Sequence, residues 1–187
     1  MKKILIISLT FLSLTNFASA QETSYPEKFG KTLNLGVGLG YYGYAGRSMP
    51  VLHADYEFDV ARNFTLAPFI NFYSYRRGYY WGNNDHPYRY YNYRETVIPI
   101  GAKGTYYFDE LFHAGSKWDF YVAGSLGFSI VNSSWDNDYY GDRNVYRNAS
   151  SLYFSGHIGA EYHMNAKTGL FLDLSSGVST FGLAVHF

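Results

Sequence analysis

The segment from Trp118 to Ile130 reads WDFYVAGSLGFSI and alternates between two kinds of side chain. Large apolar residues recur at every second position, apart from Gly124, and the positions between them are mostly polar or small. A period of two belongs to a β-strand, whose successive side chains point to opposite faces, whereas a helix repeats every 3.6 residues. The segment therefore predicts a strand with one apolar face and one polar face.

The same alternation recurs along the rest of the chain and predicts eight strands. No helical pattern interrupts them, so we expect one antiparallel, up-and-down sheet. Most of the strands have about ten residues, the length that a tilted strand needs to cross a bilayer. The predicted fold is all-β, an eight-stranded antiparallel transmembrane barrel. The predicted strands are 33–41, 52–60, 64–72, 96–108, 118–130, 152–162, 170–174 and 181–187.

Composition excludes several classes of protein. The 187 residues include 15 Lys+Arg and 15 Asp+Glu, so the chain lacks the excess of basic residues that nucleic-acid binding requires. Cysteine is absent, which excludes a disulfide scaffold, a thiolate metal site and a cysteine nucleophile. Aromatic residues reach 21%, led by 21 Tyr and 15 Phe.

The first twenty residues have the three parts of an export signal. Lys2 and Lys3 form a positive start, 4–14 is a short apolar core, and 18–20 reads Ala-Ser-Ala, a small-x-small cleavage site. We expect a cleaved signal peptide at 1–20, a short periplasmic segment at 21–30 and a barrel at 31–187.

The connections between the predicted strands alternate in length and chemistry. The connections at 61–63, 109–117 and 165–168 are shorter or plainer, whereas 76–93 and 134–149 are long, polar and rich in Tyr. The connections at 45–49 and 175–178 are short but belong to the same side as the long ones. Short periplasmic turns and longer outer loops are typical of outer-membrane barrels, and an even strand count puts both termini on the periplasmic side.

The segment Tyr106–Leu126 (YYFDELFHAGSKWDFYVAGSL) and the C-terminal stripe carry a resemblance to a known group. They resemble the small eight-stranded outer-membrane barrels of Gram-negative bacteria, the OmpA/OmpX-like group, and in particular barrels common in the Bacteroidetes. The resemblance implies location in the outer membrane and recognition by the barrel assembly machinery. It implies that the assembly signal is Phe181, Leu183, Val185 and Phe187. Pro68 and Pro99 depart from a regular strand pattern, and we expect a bulge or local phase slip near one of them. The alternative is that one of the predicted strands is shifted.

Alternation alone does not decide which stripe faces outward. A soluble lipocalin is also an eight-stranded barrel, with its apolar stripe inside. Two features favour a membrane barrel: the polar stripe is rich in Gly, Ala and Ser, and the aromatic members of the apolar stripe concentrate at strand ends, as in an outer-membrane girdle.

Lys103 is the only Lys or Arg on the inward stripe of the predicted strands. A buried ammonium requires a carboxylate partner, so we expect Lys103 to pair with one or more of Asp55, Glu57 and Glu161. This arrangement resembles the ionic lumen networks of OmpA-like barrels. We expect it to plug the lumen, and the alternative is a narrow porin-like channel for ions or small molecules. The predicted lumen network is Lys103, Asp55, Glu57, Glu161, His53 and His157.

We expect this chain to have no metal site, no cofactor and no enzymatic activity. His157 and His163 are six residues apart, roughly 20 Å along a strand, so they cannot bind one ion. Glu161 and His163 could, but two ligands are too few for a zinc site. Some eight-stranded barrels modify lipid A with His, Ser and a carboxylate, but Ser74, Asp85 and His86 lack a recognisable spacing.

The two long outer connections are rich in Tyr, Trp and Arg, the side chains that dominate binding hot spots. We expect either a binding surface for an extracellular glycan, lipopolysaccharide or protein, or aromatic rings that only pack together. The arginines could meet lipopolysaccharide phosphates. The predicted surface comprises Arg76, Arg77, Trp81, Tyr88, Arg89, Tyr90, Tyr91, Trp135, Tyr139, Tyr140 and Arg143.

Overall fold

The computed structural model of this chain describes residues 29–42, 47–108, 117–143 and 152–187. These residues form eight strands, each antiparallel to the next, and the last strand pairs with the first to close a barrel. The predicted eight-stranded antiparallel fold is confirmed. The strands are β1 (Lys31–Tyr42), β2 (Arg47–Ala61), β3 (Phe64–Trp81), β4 (Arg89–Tyr107), β5 (Trp118–Trp135), β6 (Leu152–Asn165), β7 (Thr168–Ser175) and β8 (Val178–His186).

The predicted signal peptide and residues 21–28 of the predicted periplasmic segment lie outside the described residues. Among the residues that are described, there is no helix with the length and apolar character needed to span a membrane.

The apolar stripe faces outward. Leu126 and Phe154 are 58% and 76% exposed, whereas Lys103 and Asp55 on the opposite stripe are 5% and 3% exposed. A soluble calyx needs the reverse arrangement, with apolar side chains inside. The lipocalin-like alternative is therefore wrong.

The hairpin of β3 and β4 extends much further than the sequence pattern indicated. Residues 76–93 were expected to form a long loop, but β3 continues to Trp81 and β4 begins at Arg89, with the register Trp81↔Arg89 at its tip. The many tyrosines in both arms of the hairpin favour this result, because tyrosine is a strong strand former. We call this end of the barrel the hairpin end, and the opposite end, where β1 begins and β8 ends, the terminal end.

The two prolines do not produce the expected bulge. The β3–β4 register is the same on both sides of Pro99, although the residue pairs at this point are interrupted, and the β2–β3 register likewise continues past Pro68. A proline removes one ladder donor without adding a residue, so the strands keep their phase. The register shifts lie instead beside terminal-end turns, between Asp59 and Ala61 and between His163 and Asn165.

The seam between β1 and β8 closes through two facing glycines. Gly36 lies opposite Gly182, and the amide of Phe187 donates to the carbonyl of Lys31 at 2.9 Å. A Cβ at Gly182 would overlap the carbonyl oxygen of Leu35 and lie 2.6 Å from the Cα of Gly36. The two strands can approach this closely only because both positions lack a side chain.

The described chain begins with a short segment fastened to the terminal end. The amides of Phe29 and Gly30 donate to Asp59 Oδ2 at 3.2 and 3.0 Å. The Phe29 ring stacks on Tyr107 with centroids 3.9 Å apart. These contacts hold the entry of β1 against β2 and β4.

Candidate functional site

Lys103 of β4 lies at the centre of the lumen, and its ammonium has two carboxylates within reach. Its Nζ donates to Asp55 Oδ2 at 3.0 Å and lies 3.7 Å from Asp173 Oδ2. All three side chains are buried. Of the three carboxylates that the sequence suggested as partners, the structure places Asp55 beside the ammonium.

A histidine supports each of these carboxylates. His53 Nε2 lies 2.8 Å from Asp55 Oδ2, and His157 Nδ1 lies 2.6 Å from Asp173 Oδ1. The other ring nitrogens contact Asn71 Oδ1 at 2.7 Å and Ser125 Oγ at 2.9 Å. We call the set formed by Lys103, Asp55, Asp173, His53 and His157 the central network. Sequence reasoning did not name Asp173 as a partner of Lys103, although it lies on the inward stripe of β7.

Little space remains around the central network. The cavity there has a volume of about 10 Å³ and is lined by polar groups of the network together with aromatic rings such as Phe69 and Tyr153. That volume is about the minimum for one water molecule. Phe69 and Tyr153 pack with their ring centroids 5.5 Å apart.

The two other carboxylates predicted for Lys103 have partners nearer the terminal end. Glu57 Oε1 accepts hydrogen bonds from Thr65 and from Tyr107, the latter at 2.6 Å. Asn34 Nδ2 donates to both Asp55 and Glu57, at 2.8 and 3.2 Å, and so links them.

Glu161 belongs to a separate group with His163 and His186. Its Oε1 lies 2.7 Å from His186 Nε2 and 3.7 Å from His163 Nδ1. These are the atoms that could bind a metal ion, since they all lie within 4.8 Å of one another. His186 was not among the sequence candidates, although it continues the inward stripe of β8 through Thr180 and Ala184.

At the hairpin end, several of the predicted surface residues pack into an interior aromatic cluster. Tyr139 is 1% exposed, and its ring contacts Trp135 at 4.2 Å, Tyr91 at 5.2 Å and Trp81 at 5.3 Å between centroids. We call Trp81, Tyr91, Trp135 and Tyr139 the aromatic cap. Tyr91 and Tyr139 are buried and offer no free surface, whereas Trp81 and Trp135 are partly exposed.

Hydrogen bonds and one surface ion pair surround the cap. On the side of the cap that faces the terminal end, Glu95 accepts hydrogen bonds from Tyr75 and from Tyr93, the latter at 2.9 Å. On the opposite side of the cap, Arg89 pairs with Asp138, and its Cζ lies 4.8 Å from the centroid of the Tyr91 ring. Arg143 Nη2 donates to the Tyr139 carbonyl at 3.4 Å.

The exterior of the same hairpin carries a second set of predicted surface residues in cross-strand register. Arg76 pairs with Arg94, Gly78 with Asn92, and Tyr80 with Tyr90, all on the face that continues the apolar stripe. We call these three pairs the exterior ladder. All six residues are exposed, Tyr90 at 74%. Tyr88 extends the set, with its ring 5.8 Å from that of Tyr80, whereas Arg77 lies on the opposite face and Tyr140 is exposed beside His86.

The possible catalytic residues do not come together. His86 lies in the hairpin turn and contacts Asn83, whereas Ser74 is a strand residue that accepts from Thr96 Oγ1 at 3.3 Å. Ser74 is seven residues below Trp81, about 23 Å along the strand. A pair formed by Ser74 and His86 therefore has no support in this geometry.

A further groove of about 680 Å³ lies at the apolar surface of β1, β2 and β8 and is lined by side chains such as Leu39, Leu52 and Phe181. It offers an apolar contact for lipid chains, and its polar lining residues are Tyr73, Ser74, Ser179 and Thr180.

A closed eight-stranded barrel with an apolar exterior and a charged, hydrogen-bonded interior defines a class, the small transmembrane β-barrels. Comparison with solved structures gives the same class. Neisserial surface protein A (NspA) is 12% identical, with a TM-score of 0.53, over 84% of this chain and 96% of that chain. At this identity the likeness shows the fold alone.

Two further solved structures have lower scores. A de novo designed transmembrane β-barrel is 13% identical with a TM-score of 0.48, over 86% of this chain and 98% of that one. Ail, the attachment invasion locus protein of Yersinia pestis, in complex with the heparin analogue sucrose octasulfate, is 10% identical with a TM-score of 0.44, over 84% and 96%. No protein-family model and no curated protein matches the chain.

Proposed function

We propose that the chain is an integral outer-membrane protein with a closed lumen, and that its exterior ladder binds the phosphorylated glycolipid of the outer leaflet. The observation that carries the proposal is the order of side chains along the exterior of β3 and β4. Apolar residues give way to the hydroxyls of Ser74 and Thr96, then to the arginine pair, and then to the tyrosines.

That order matches the layers of an outer membrane. Ile70, Phe72 and Ile100 form part of the lipid-facing band. At the terminal end, Tyr106 and Trp118 are exposed as an interfacial girdle of amphipathic rings should be. Ser74 and Thr96 lie at the outer boundary of the bilayer's hydrocarbon core. Arg76 and Arg94, two residues further along, then lie at the level of the headgroup phosphates.

Leu126 provides a test of the membrane position. It is exposed and lies near the midpoint of β5. We expect Leu126→Arg to lower the free energy of unfolding in lipid by about 2 to 4 kcal/mol, because the guanidinium would face hydrocarbon. Urea titration in bilayers measures this change, with Tyr140→Arg beyond the membrane as the control. Equal stability of the two variants would contradict a membrane-spanning exterior.

The central network supports a lumen that does not conduct. Lys103 bridges β2 and β7 across the interior, and the cavity beside it is about one water molecule in size. The aromatic cap lies on the hairpin side of the central network. We therefore favour the plugged barrel over the narrow porin-like channel, and we expect planar-bilayer recordings of the purified protein to show no discrete conductance.

The chemistry of the exterior ladder fits a phosphorylated sugar. Two guanidinium groups side by side on adjacent strands can donate charge-assisted hydrogen bonds to phosphate oxygens. Tyr80 and Tyr90 lie about 13 Å further along the strands and present aromatic faces with hydroxyl tips, which suit sugar rings. The arginine pair would thus contact the phosphate, and the tyrosine pair would contact the sugar further along the same surface.

The binding test uses purified lipopolysaccharide and the protein refolded in detergent. We expect Arg76→Gln with Arg94→Gln to weaken binding at least tenfold, since each charge-assisted hydrogen bond contributes about 1.5 to 3 kcal/mol. Native mass spectrometry or thermophoresis gives the affinity. Arg77→Gln, one residue away on the opposite face, is the matched control.

Two comparisons separate the parts of the ligand. Dephosphorylated lipopolysaccharide should bind the wild-type protein as weakly as the intact glycolipid binds the double arginine variant. Tyr90→Ala should weaken binding of both glycolipids. An affinity that is the same in the wild-type protein and in the double arginine variant would remove the basis of the proposal.

We propose that the C-terminal stripe is the signal that the barrel assembly machinery reads. Phe181, Leu183 and Phe187 are exposed on the exterior, and Val185 is half-buried beside them. This placement supports the proposed assembly signal. The absence of enzymatic activity stays a prediction, which mass spectrometry of lipid A from overexpressing cells tests.

A further inference from the structure

Glu161 and His163 on β6 and His186 on β8 meet inside the terminal end of the barrel, although β7 runs between the two strands. Glu161 reaches across because the intervening inward position is Gly169. A Cβ there would overlap the Glu161 carboxylate and lie 2.8 Å from its Cδ. The missing side chain on β7 therefore creates a three-residue group from strands that are not neighbours.

The imidazole nitrogens that point away from Glu161, His163 Nε2 and His186 Nδ1, each have a hydrogen-bond partner. His163 Nε2 lies 2.7 Å from Asp119 Oδ2, a carboxylate that only accepts. His186 Nδ1 lies 2.9 Å from Thr32 Oγ1, whose own hydrogen is directed to the Phe29 carbonyl at 3.3 Å. Both of these nitrogens can donate to their partners, and in that tautomer His163 Nδ1 and His186 Nε2 carry the lone pairs.

In that tautomer two lone pairs lie close to an oxygen of Glu161, at 2.7 and 3.7 Å. Without a metal ion, a hydrogen on His186 Nε2 makes its contact with Glu161 Oε1 a hydrogen bond, and a bound cation would replace that hydrogen. Imidazoles whose far nitrogen donates to a carboxylate or another oxygen are typical of metal ligands, because that contact fixes the ring and raises its basicity.

We propose that Glu161, His163 and His186 form a binding site for a divalent transition-metal ion of the zinc type. In tetrahedral coordination, metal–ligand distances near 2.1 Å place neighbouring ligand atoms about 3.4 Å apart. The observed separations of 2.7 and 3.7 Å lie on either side of that value. Two imidazole ligands select zinc, copper or nickel over calcium or magnesium.

The site is accessible from the terminal end. The side chains of His163 and His186 are 25% and 16% exposed, and that of Glu161 is 8% exposed. Three protein ligands with solvent contact leave a fourth position for water, the arrangement of an open zinc site. The site lies at the opposite end of the barrel from the exterior ladder.

The test is a zinc titration of the full chain, refolded in detergent and free of any histidine tag, in competition with a chromogenic chelator. We expect one ion per chain, with affinity reduced at least tenfold in His186→Ala and in Glu161→Gln. Asp119→Asn should cost about tenfold, since it alters only the orientation of His163. His86→Ala, at the opposite end, is the matched control and should bind like the wild-type protein.

Copper(II) provides a second measurement that needs no variant. Electron paramagnetic resonance of the wild-type protein with one equivalent of copper should show coupling to two imidazole nitrogens, and His163→Ala should retain one. Each sample is first shown to be folded by its heat-modifiable gel migration. The proposal is overturned if the folded wild-type protein binds no stoichiometric zinc, or if His186→Ala and Glu161→Gln bind zinc as tightly as His86→Ala.

Discussion

Replacing Lys103 by Met is expected to lower the free energy of unfolding by about 3 to 5 kcal/mol, the usual cost of removing one partner from a buried ion pair. The ammonium lies 3.0 Å from Asp55 and 3.7 Å from Asp173, and all three side chains are buried. Methionine fills a similar volume, so the loss reports the uncompensated carboxylates and not a cavity. Urea titration followed by tryptophan fluorescence and gel migration measures the change.

A second substitution separates charge from packing. In the Lys103→Met background the carboxylates of Asp55 and Asp173 both lack their cation. Asp55→Asn removes one of these two charges and keeps an oxygen that accepts the hydrogen bond from Asn34. We expect it to recover part of the lost stability, whereas on its own it should be destabilising because Lys103 then loses its nearer partner. A loss below about 1 kcal/mol in Lys103→Met would show that the central network is not held by charge.

Gly182→Ala is expected to prevent the closed barrel from forming. The new methyl group would overlap the carbonyl oxygen of Leu35 and approach the Gly36 Cα to 2.6 Å, and both are backbone atoms of β1 that no side-chain rotation can move. Overpacking typically costs about 1 to 3 kcal/mol, and a clash with backbone at the closing seam should exceed that range. The unboiled sample should migrate on a gel like the boiled one.

Gly124 provides the matched control for this result. It is also a strand glycine, but a Cβ there meets nothing within 4 Å. Gly124→Ala should fold as well as the wild-type protein, or slightly better, because alanine restricts the unfolded chain more than glycine does. If both variants fold equally well, the seam does not depend on the close approach of β1 and β8.

The sequence was sufficient to predict the fold because alternation is a local property. WDFYVAGSLGFSI places Leu126 and Phe128 on one face whatever the rest of the chain does, and the structure exposes both. The requirement that Lys103 be paired also follows from its burial alone, and Asp55 lies beside it. Both inferences need only the residue type and the face of the strand.

The interior partnerships depend on register, which alternation does not determine. Asp173 reaches Lys103, and His186 reaches Glu161, only because the barrel closes with β7 and β8 in one particular alignment. The same limit explains the hairpin. Tyr91 and Tyr90 are equivalent in composition, yet one is buried in the aromatic cap and the other is exposed on the exterior ladder. The same reasoning explains why the prolines cause no bulge. A proline lacks one hydrogen-bond donor, which interrupts the ladder but does not shift its register.

The pairing of β8 with β1 has a consequence for biosynthesis and quality control. The nine residues Val178–His186 are made after all the other strands, and they alone satisfy the free backbone edges of β1 and β7. A chain cut short before them has two unpaired edges, which a bilayer does not tolerate. Completion of the barrel is thus all-or-none. We therefore expect a chain that ends before Val178 to accumulate no folded barrel, and its unpaired backbone edges would mark it for proteolysis.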